Sequence, residues 1–493
     1  MSEFSKLKHV HIVGACGTLM GSFAAFLKRS GIRVTGSDQN VYPPMSDVLA
    51  QAGVELFSGY QPENLTRTGS KPDLVVIGNV ISASNVEARA AIDGGYQYTS
   101  LPEAMERFLL QKTRNLVVSG THGKTTTSSL LAHVLKFCGE DPSYFIGGVS
   151  LDLVNSFHLR GELTENSAFV LEGDEYDTAF WDKVPKFNHY RPVDVILTSV
   201  EYDHADIYPD FASVMKAFEG LIERIQPKGK LIACTETESV KTLVKKAKVP
   251  VISYARASSF GADYWIQNFA RCMNGNFRFD VFKRTSQTGA PGDATGMKTE
   301  SLEIQLPGEY NALNALAVWI QCRELGIPLT KIAAGLKAFR GVKRRQEIRG
   351  EVGGVTVIDD FAHHPTAVRE TVGALKKKYP DRRLIIAFEP RSATSRRKVF
   401  QKDYAEAFDA ADEIFISQPF DQSKLASDDL FSSDQLVADI CSRKKSAHFM
   451  KDVESGVVQL KNLVKTGDVV AILSNGGFGG IIEKLLTVLS PKT

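Results

Sequence analysis

Six cysteines in 493 residues (Cys16, Cys138, Cys234, Cys272, Cys322 and Cys441) lie far apart, and no two form a CxxC pair. That spacing argues against a cysteine zinc site and against the disulfide framework of a small secreted domain. No apolar run reaches the roughly 18 residues that suggest a membrane span. The Lys-flanked stretch HVHIVGACGTLM (9–20) reads as strand, turn and helix, not as a signal peptide. An excess of one charge is also missing: 59 Lys and Arg against 57 Asp and Glu give a formal net charge of +2. The basic clusters are short, such as Lys376-Lys377-Lys378, so nothing calls for nucleic acid or an anionic membrane. There is no tandem repeat and no disordered tail. A cytoplasmic enzyme is the expectation.

What remains is an ordinary globular composition, 43% apolar and 24% charged, on a chain too long for one core. Length alone suggests about three domains. Strand-like runs alternate with helical stretches in three groups, which predicts parallel sheets. The first group is HVHIV (9–13), IRVTGSD (32–38) and DLVVIGN (73–79). NLVVS (115–119), AFVLEGD (168–174) and DVILTSV (194–200) make up the second, with FRFDVFK (277–283) and SLEIQLP (301–307) as a hairpin. The polar, Gly-rich connection 284–300 reads as a mobile surface loop. VTVIDDFA (355–362), RLIIAFEP (383–390), EIFISQP (413–419) and DVVAILS (468–474) form the third. The expected fold is therefore α/β in three domains: 1–112, 113–342 and 343–493.

Four constellations could carry chemistry. In VVSGTHGKTTTSSL (117–130) a strand enters a Gly-containing turn and a Lys-Thr pair opens a helix. Backbone N–H groups and a helix N-terminus make an anion site there, with Lys124 for the outer phosphates and Thr125 for Mg²⁺. The plain alternative is a strand–turn–helix junction with a Thr cap. Glu172 in VLEGDEYD ends the next strand and would face the metal, whereas some of Asp174, Glu175 and Asp177 should be solvated loop charges. His204 and Asp206 in EYDHADIY (201–208) would meet the same sheet edge, and a second metal ion fits that reading. Lastly, VGACGTLMG (13–21) departs from GxGxxG, but Gly14 and Gly17 still suit a diphosphate and Asp38 a ribose. Glycines serving only a tight turn are the alternative.

Taken in order, GTHGKTTT (120–127), EGDEYD (172–177), DHADIY (203–208), GEYNALNALA (308–317), GVKRRQE (341–347) and DDFAHHPTAV (359–368) resemble the motifs of the Mur ligases. These are ATP-dependent amide-forming enzymes of peptidoglycan metabolism, and the likeness covers nearly the whole chain. It implies a Rossmann-like UDP-binding domain, a central P-loop ATPase-like domain and a Rossmann-like C-terminal domain. The double-His DDFAHHP and the GACGTLMG turn look most like the branch whose nucleotide substrate is UDP-N-acetylmuramic acid. Two acceptors remain open in that branch, L-alanine and the recycled tripeptide L-alanyl-γ-D-glutamyl-meso-diaminopimelate. The segments at 37–56, 77–85 and 388–397 favour the tripeptide.

The resemblance also implies roles. Gly120, Thr121, His122, Gly123, Lys124, Thr125 and Thr126 would hold ATP, with Asn311 and Asn314 beside the adenine. Arg344 or Arg345 and Asp360 would complete that site from the C-terminal domain. Thr125, Glu172 and His204 would serve Mg²⁺, and Lys124, Glu172 and His204 the chemistry. Gly14, Gly17, Asp38 and Asn79 would face the UDP-sugar, and His363, Arg391 and Ser392 the peptide. The lysine that several family members carbamylate is not assigned, because Lys216 is out of register. Two other readings differ in class: a non-catalytic nucleotide-sugar-binding regulator, and a P-loop kinase that releases a phosphoester. Oligomeric state is not legible in the sequence.

Overall fold

The computed structural model describes residues 6–41, 45–285, 296–423 and 425–490. These residues build three sheets, one per domain.

The first sheet has five parallel strands in the spatial order Glu55–Ser58, Arg33–Asp38, His9–Val13, Leu74–Ile77, Tyr98–Ser100. HVHIV and LVVI are buried along their whole length, as a parallel sheet covered on both faces requires. Strand order reverses between His9–Val13 and Leu74–Ile77, so a crevice opens beyond their C-terminal ends. Gly14 follows the first of these strands and Asn79 lies just past the second.

The central sheet has ten strands. Arg114–Ser119 sits in its middle, paired in parallel with Asp194–Leu197 on one side and Ala168–Gly173 on the other. Register sets Val118 beside Glu172 and Ser119 beside Leu197, so three strand ends reach one edge together. The sheet is wider than the sequence suggests, because Lys230–Cys234, Val251–Ala255 and Tyr264–Arg271 extend it to the expected hairpin. That hairpin pairs Phe277–Arg284 with Gly296–Ile304. The connection expected as a loop over 284–300 is therefore shorter, since residues 296–300 are ladder residues, and its remainder, 286–295, lies outside the described residues.

The third sheet has six strands, with Glu347–Val352 antiparallel at one edge and Val355–Asp360, Val469–Leu473, Leu384–Phe388, Glu413–Ser417 and Ser446–Met450 parallel beyond it. The N-terminal and central domains share a core: Phe23 and Phe26 of the helix Thr18–Arg29 pack on Phe157 with ring centroids 6.1 and 5.1 Å away. Phe23 and Phe157, fully buried, each contribute about 1.5–3 kcal/mol, and the partly buried Phe26 less. Among the described residues no helix is long and apolar enough to cross a membrane.

Candidate active site

The P-loop owes its shape to its glycines. Gly120 and Gly123 hold φ of 133° and 80°, a region glycine enters without steric cost. A Cβ on Gly120 would lie 2.3 Å from Thr198 Oγ1 and 2.7 Å from the Ser199 carbonyl oxygen, so the loop presses against the neighbouring strand end. Thr198 donates to the His122 carbonyl at 2.5 Å, and His122 N–H donates to Ser199 Oγ at 3.1 Å. Thr121 Oγ1 accepts from Glu201 N–H at 2.8 Å. The Thr121 side chain and the His122 backbone thus brace the loop against 198–201. Thr126, by contrast, is buried in the first turn of the helix Lys124–Phe137. Gly123 packs on Asn314, whose Oδ1 lies 2.9 Å from where a Cβ would stand, and Asn314 in turn donates to Asn311 at 3.3 Å.

Five charged groups gather at this edge: Lys124, Glu172, Asp174, Glu175 and His204. Lys124 Nζ donates to both oxygens of Glu175, at 3.0 and 2.8 Å, and to the Gly120 carbonyl at 2.8 Å. Burial works against the ammonium charge, yet Glu175, Asp174 and Glu172 outweigh it and hold the Lys124 pKa above its ordinary value. Glu175 also meets His204 Nε2 at 3.2 Å. Burial opposes the imidazolium too, and Glu175 nevertheless pushes it up to about 9. Against its own burial, Lys124 and His204 bring Glu175 down to about 2. His204 sits at φ 53°, a strained backbone region for a residue with a Cβ.

Glu172 accepts from Thr125 Oγ1 at 2.5 Å and from Gly147 N–H at 2.6 Å. Burial and then Asp174 raise its pKa, and the donors Thr125 and Gly147 with the Lys124 charge offset this only in part. A buried carboxylate with unbalanced charge beside a hydroxyl is a donor set for a hard cation, which takes oxygen ligands. The residues present therefore fit Mg²⁺ through Thr125 and Glu172. His204 stands at the same edge, where its Nε2 pairs with Glu175 in this arrangement. Asp206 is exposed and is not one of the cluster's groups; the buried acid of that motif is Asp203, which accepts from Thr394 Oγ1 at 2.6 Å.

The C-terminal domain closes over this edge. Asp360 is buried and accepts from Gln346 N–H and Ala362 N–H, both at 2.8 Å. Burial raises its pKa, and Arg345 counters that. The two adjacent arginines have different fates. Arg344 donates to the carbonyls of Ser474 and Gly476 at 2.7 and 2.6 Å and faces Asp359 at 3.5 Å. Arg345 stacks over Phe361 at 4.9 Å and makes no ion pair among the described residues. His363 Nε2 stands 3.7 Å from Asp203 across the domain boundary. Arg391 lies 3.7 Å over the Phe420 ring, half in solvent, and 3.4 Å from Glu389. Ser392 departs from expectation: it is buried, and its hydroxyl is spent on Ser395, so it forms a turn and is not presented to a peptide.

At the N-terminal crevice Gly14 adopts φ 86° and donates to the Ser37 carbonyl at 2.9 Å. Gly17 caps the helix Thr18–Arg29, and Asn79 is exposed beside the switch point. Asp38 uses one oxygen on Cys16 N–H at 2.8 Å and the other on Asn40 N–H at 3.0 Å. It fastens the turn, and a ribose would have to share it.

The residues that sequence reasoning passed over are Glu175, the Asp174–Lys186 pair at 3.2 Å, and a group at the domain boundary formed by Glu201, Asp203, His364 and Thr394. All but Lys186 sit inside the motifs and segments named above, but nothing in a run of acids says which one is buried.

Comparison with known proteins covers all three domains. Residues 9–113 match the model described as Mur ligase family, catalytic domain. Residues 118–322 match the Mur ligase middle domain, and 344–476 the Mur ligase, glutamate ligase domain. A UDP-N-acetylmuramate–L-alanyl-γ-D-glutamyl-meso-2,6-diaminoheptandioate ligase of Escherichia coli (strain K12) is 35% identical, over 98% of each chain. A UDP-N-acetylmuramate–L-alanine ligase of Clostridium kluyveri is 31% identical, over 96% of this chain and 97% of that one. The solved murein peptide ligase of Psychrobacter arcticus 273-4 is 33% identical and superposes with a TM-score of 0.70, covering 99% of both chains. Three sheets in this order, a P-loop at the central strand and full-length relatives at this identity lead to one assignment: the chain belongs to the Mur ligase family.

Proposed function

We propose that this chain is an ATP-dependent ligase joining the tripeptide L-alanyl-γ-D-glutamyl-meso-diaminopimelate to UDP-N-acetylmuramic acid, in the cytoplasm. The observation that carries the ligase reading is the cluster Lys124, Thr125, Glu172 and Glu175 at one sheet edge, with the C-terminal domain folded over it. The choice of tripeptide is supported by the name of the 35% identical relative, against the alanine ligase name of the relative at 31%.

A carboxylate is a poor electrophile, so the amide requires activation. The γ-phosphoryl of ATP passes to a carboxylate oxygen of the sugar's lactyl group, giving an acyl phosphate and ADP. The tripeptide's amine then attacks the acyl carbon, the C–O bond breaks, phosphate leaves, and the amine loses its proton. Phosphoryl transfer needs positioning and charge neutralisation above all. Lys124 takes the terminal phosphates, exchanging Glu175 for a phosphoryl oxygen. Arg345, in no ion pair among the described residues, adds a second positive charge from the C-terminal domain, and Asp360, whose charge it offsets, holds the 345–346 turn that carries it. Mg²⁺ held by Thr125 and Glu172 supplies further neutralisation when bound. Asn311 and Asn314 line the adenine side. Gly14, Gly17, Asp38 and Asn79 receive the UDP portion, while His363 and Arg391 face the peptide. A guanidinium stacked on Phe420 suits a peptide carboxylate. Closing the domains keeps water from the acyl phosphate.

Incubation with ATP, Mg²⁺ and UDP-N-acetylmuramic acid, with either tripeptide or L-alanine, tests the reading through the product's mass. The tripeptide adduct is expected to form faster. A faster alanine adduct would transfer the assignment to the biosynthetic reaction, and a stable phosphoester without an amide would overturn it.

A further inference from the structure

His122, Glu201 and His364 come together where the P-loop meets the C-terminal domain, apart from the Lys124–Glu175 cluster. We propose that these three side chains form a binding site for a divalent transition metal ion of the zinc class, which ties the P-loop to the C-terminal domain. Among the described residues this is the one group of three or more His, Cys, Asp or Glu whose ligand atoms all lie within 4.8 Å of one another.

The distances suit a tetrahedral ion. Bonds of about 2.0–2.1 Å at tetrahedral angles separate neighbouring ligand atoms by about 3.3–3.4 Å. His122 Nε2 lies 3.1 Å from Glu201 Oε2, and His364 Nδ1 lies 3.5 Å from the same oxygen. Two imidazoles and one carboxylate form a nitrogen-rich set that suits zinc-class ions and is unlike the all-oxygen set preferred by Mg²⁺. A fourth position is left for water.

The supporting contacts are those a ligand set needs. His364 directs its other nitrogen, Nε2, to the Tyr202 carbonyl at 3.2 Å, which fixes the tautomer and leaves the Nδ1 lone pair for a ligand. That lone pair now accepts only a long contact from Thr366 N–H at 3.3 Å. Ring packing holds the imidazole in place, with the Phe400 and His122 rings each 4.7 Å away. Burial, reinforced by His122, brings the His364 pKa down to about 3, so the ring stays neutral. Thr366 Oγ1 donates to Glu201 Oε2 at 2.8 Å and orients that carboxylate. Glu201 is itself held ionised near 2: burial opposes this, and His122 leads the groups that outweigh it. Metal entry displaces the hydrogen that His122 Nε2 now shares with Glu201, and it passes to Nδ1 of the same ring.

Placement gives the site its consequence. His122 belongs to the P-loop, Glu201 follows the strand Asp194–Leu197, and His364 caps the helix Pro365–Lys378 of the C-terminal domain. An ion here replaces hydrogen bonds across the domain boundary with bonds to metal, and so favours the closed arrangement.

The test uses the full chain, stripped with chelator and held in excess Mg²⁺ so that Thr125 and Glu172 are served. Co²⁺ is titrated as the probe, because four-coordinate Co²⁺ absorbs visible light far more strongly than six-coordinate Co²⁺. One equivalent of strongly absorbing Co²⁺ is expected, displaced by Zn²⁺. His364→Ala and His122→Asn should each weaken Co²⁺ binding by about 100-fold or more, and His204→Ala should leave the absorption intact. Zn²⁺ should raise the thermal midpoint of the parent chain but not of His364→Ala, a readout that also shows whether each variant is folded. Absence of the strong absorption in the parent, its survival in both His364→Ala and His122→Asn, or its loss in His204→Ala would each overturn the proposal.

Discussion

Gly14 and Gly120 each follow a buried parallel strand, each takes a positive φ (86° and 133°), and each leads into a helix whose N-cap is a second glycine, Gly17 or Gly123. Beyond that shared backbone the two turns diverge. The N-terminal turn is held by one carboxylate, Asp38, which accepts two backbone N–H groups. Its helix has no acidic residue in the first turn. The central turn carries Lys124, and Glu175, Glu172 and His204 converge on it from two neighbouring strand ends. Under the proposed function the difference follows from the task. Holding a finished diphosphate needs backbone donors, whereas moving a phosphoryl group needs charges that can exchange partners.

The sharpest way to separate the two turns is Lys124→Ala. Turnover should fall by about 10³-fold, the scale of losing a principal donor to transition-state charge. UDP-sugar affinity, measured by calorimetry, should not change. If it fell in parallel, the turns would not be independent and the contrast would fail.

Glycine substitutions come next. At Gly120 a Cβ meets Thr198 Oγ1 at 2.3 Å and the Ser199 backbone at 2.7 and 2.8 Å. At Gly14 the nearest obstacle is the end of a flexible side chain, Ile81 Cδ1, at 3.3 Å. Both carry backbone strain of about 1–3 kcal/mol. Gly120→Ala should therefore cost more than about 3 kcal/mol in urea denaturation, and Gly14→Ala about 1–2 kcal/mol. Equal costs would mean that the two turns are equally tight.

Glu175→Gln tests the movable charge. It strands Lys124 and His204 in a buried place, a loss of about 3 kcal/mol. In the parent, burial disfavours the His204 imidazolium and Glu175 nevertheless holds it up to about 9, above its ordinary 6.5. That contribution is complete below pH 6.5 and is lost as pH rises through about 9. With chelator present, the parent's unfolding free energy should fall across this window, and the variant's should be flatter. An unchanged slope would remove Glu175 from the account.

Much of this was legible in order along the chain. A strand followed by Gly-x-x-Gly-Lys-Thr has little choice about where Lys124 and Thr125 end up, and Glu172 closes the adjacent strand, beside Val118. The three sheets announced themselves as apolar runs. Burial of single acids did not. EGDEYD offers four carboxylates that look alike in sequence. Glu172, Asp174 and Glu175 are buried, with Lys124 and His204 on Glu175 and Lys186 on Asp174, while Asp177 pairs at the surface with Lys183. Ser392 reads as a ligand contact because hydroxyls serve ligands and turns equally, and only the 392–395 turn decides between them. Glu201 and His364 are 163 positions apart, and only domain closure brings them together.

The smallest expected effect is Asp38→Asn, and it probes the quieter turn directly. The carboxylate has an acceptor for each of Cys16 N–H and Asn40 N–H. An amide keeps one acceptor and turns an NH₂ toward the other donor. One charge-assisted bond is lost and the turn loosens, at about 1–2 kcal/mol. Because the helix N-terminus and the backbone donors remain, UDP-sugar affinity should fall only about tenfold, while ATP affinity stays as it was. A loss of several hundredfold would mean that Asp38 grips the ligand itself, and that the N-terminal turn also depends on a side-chain charge.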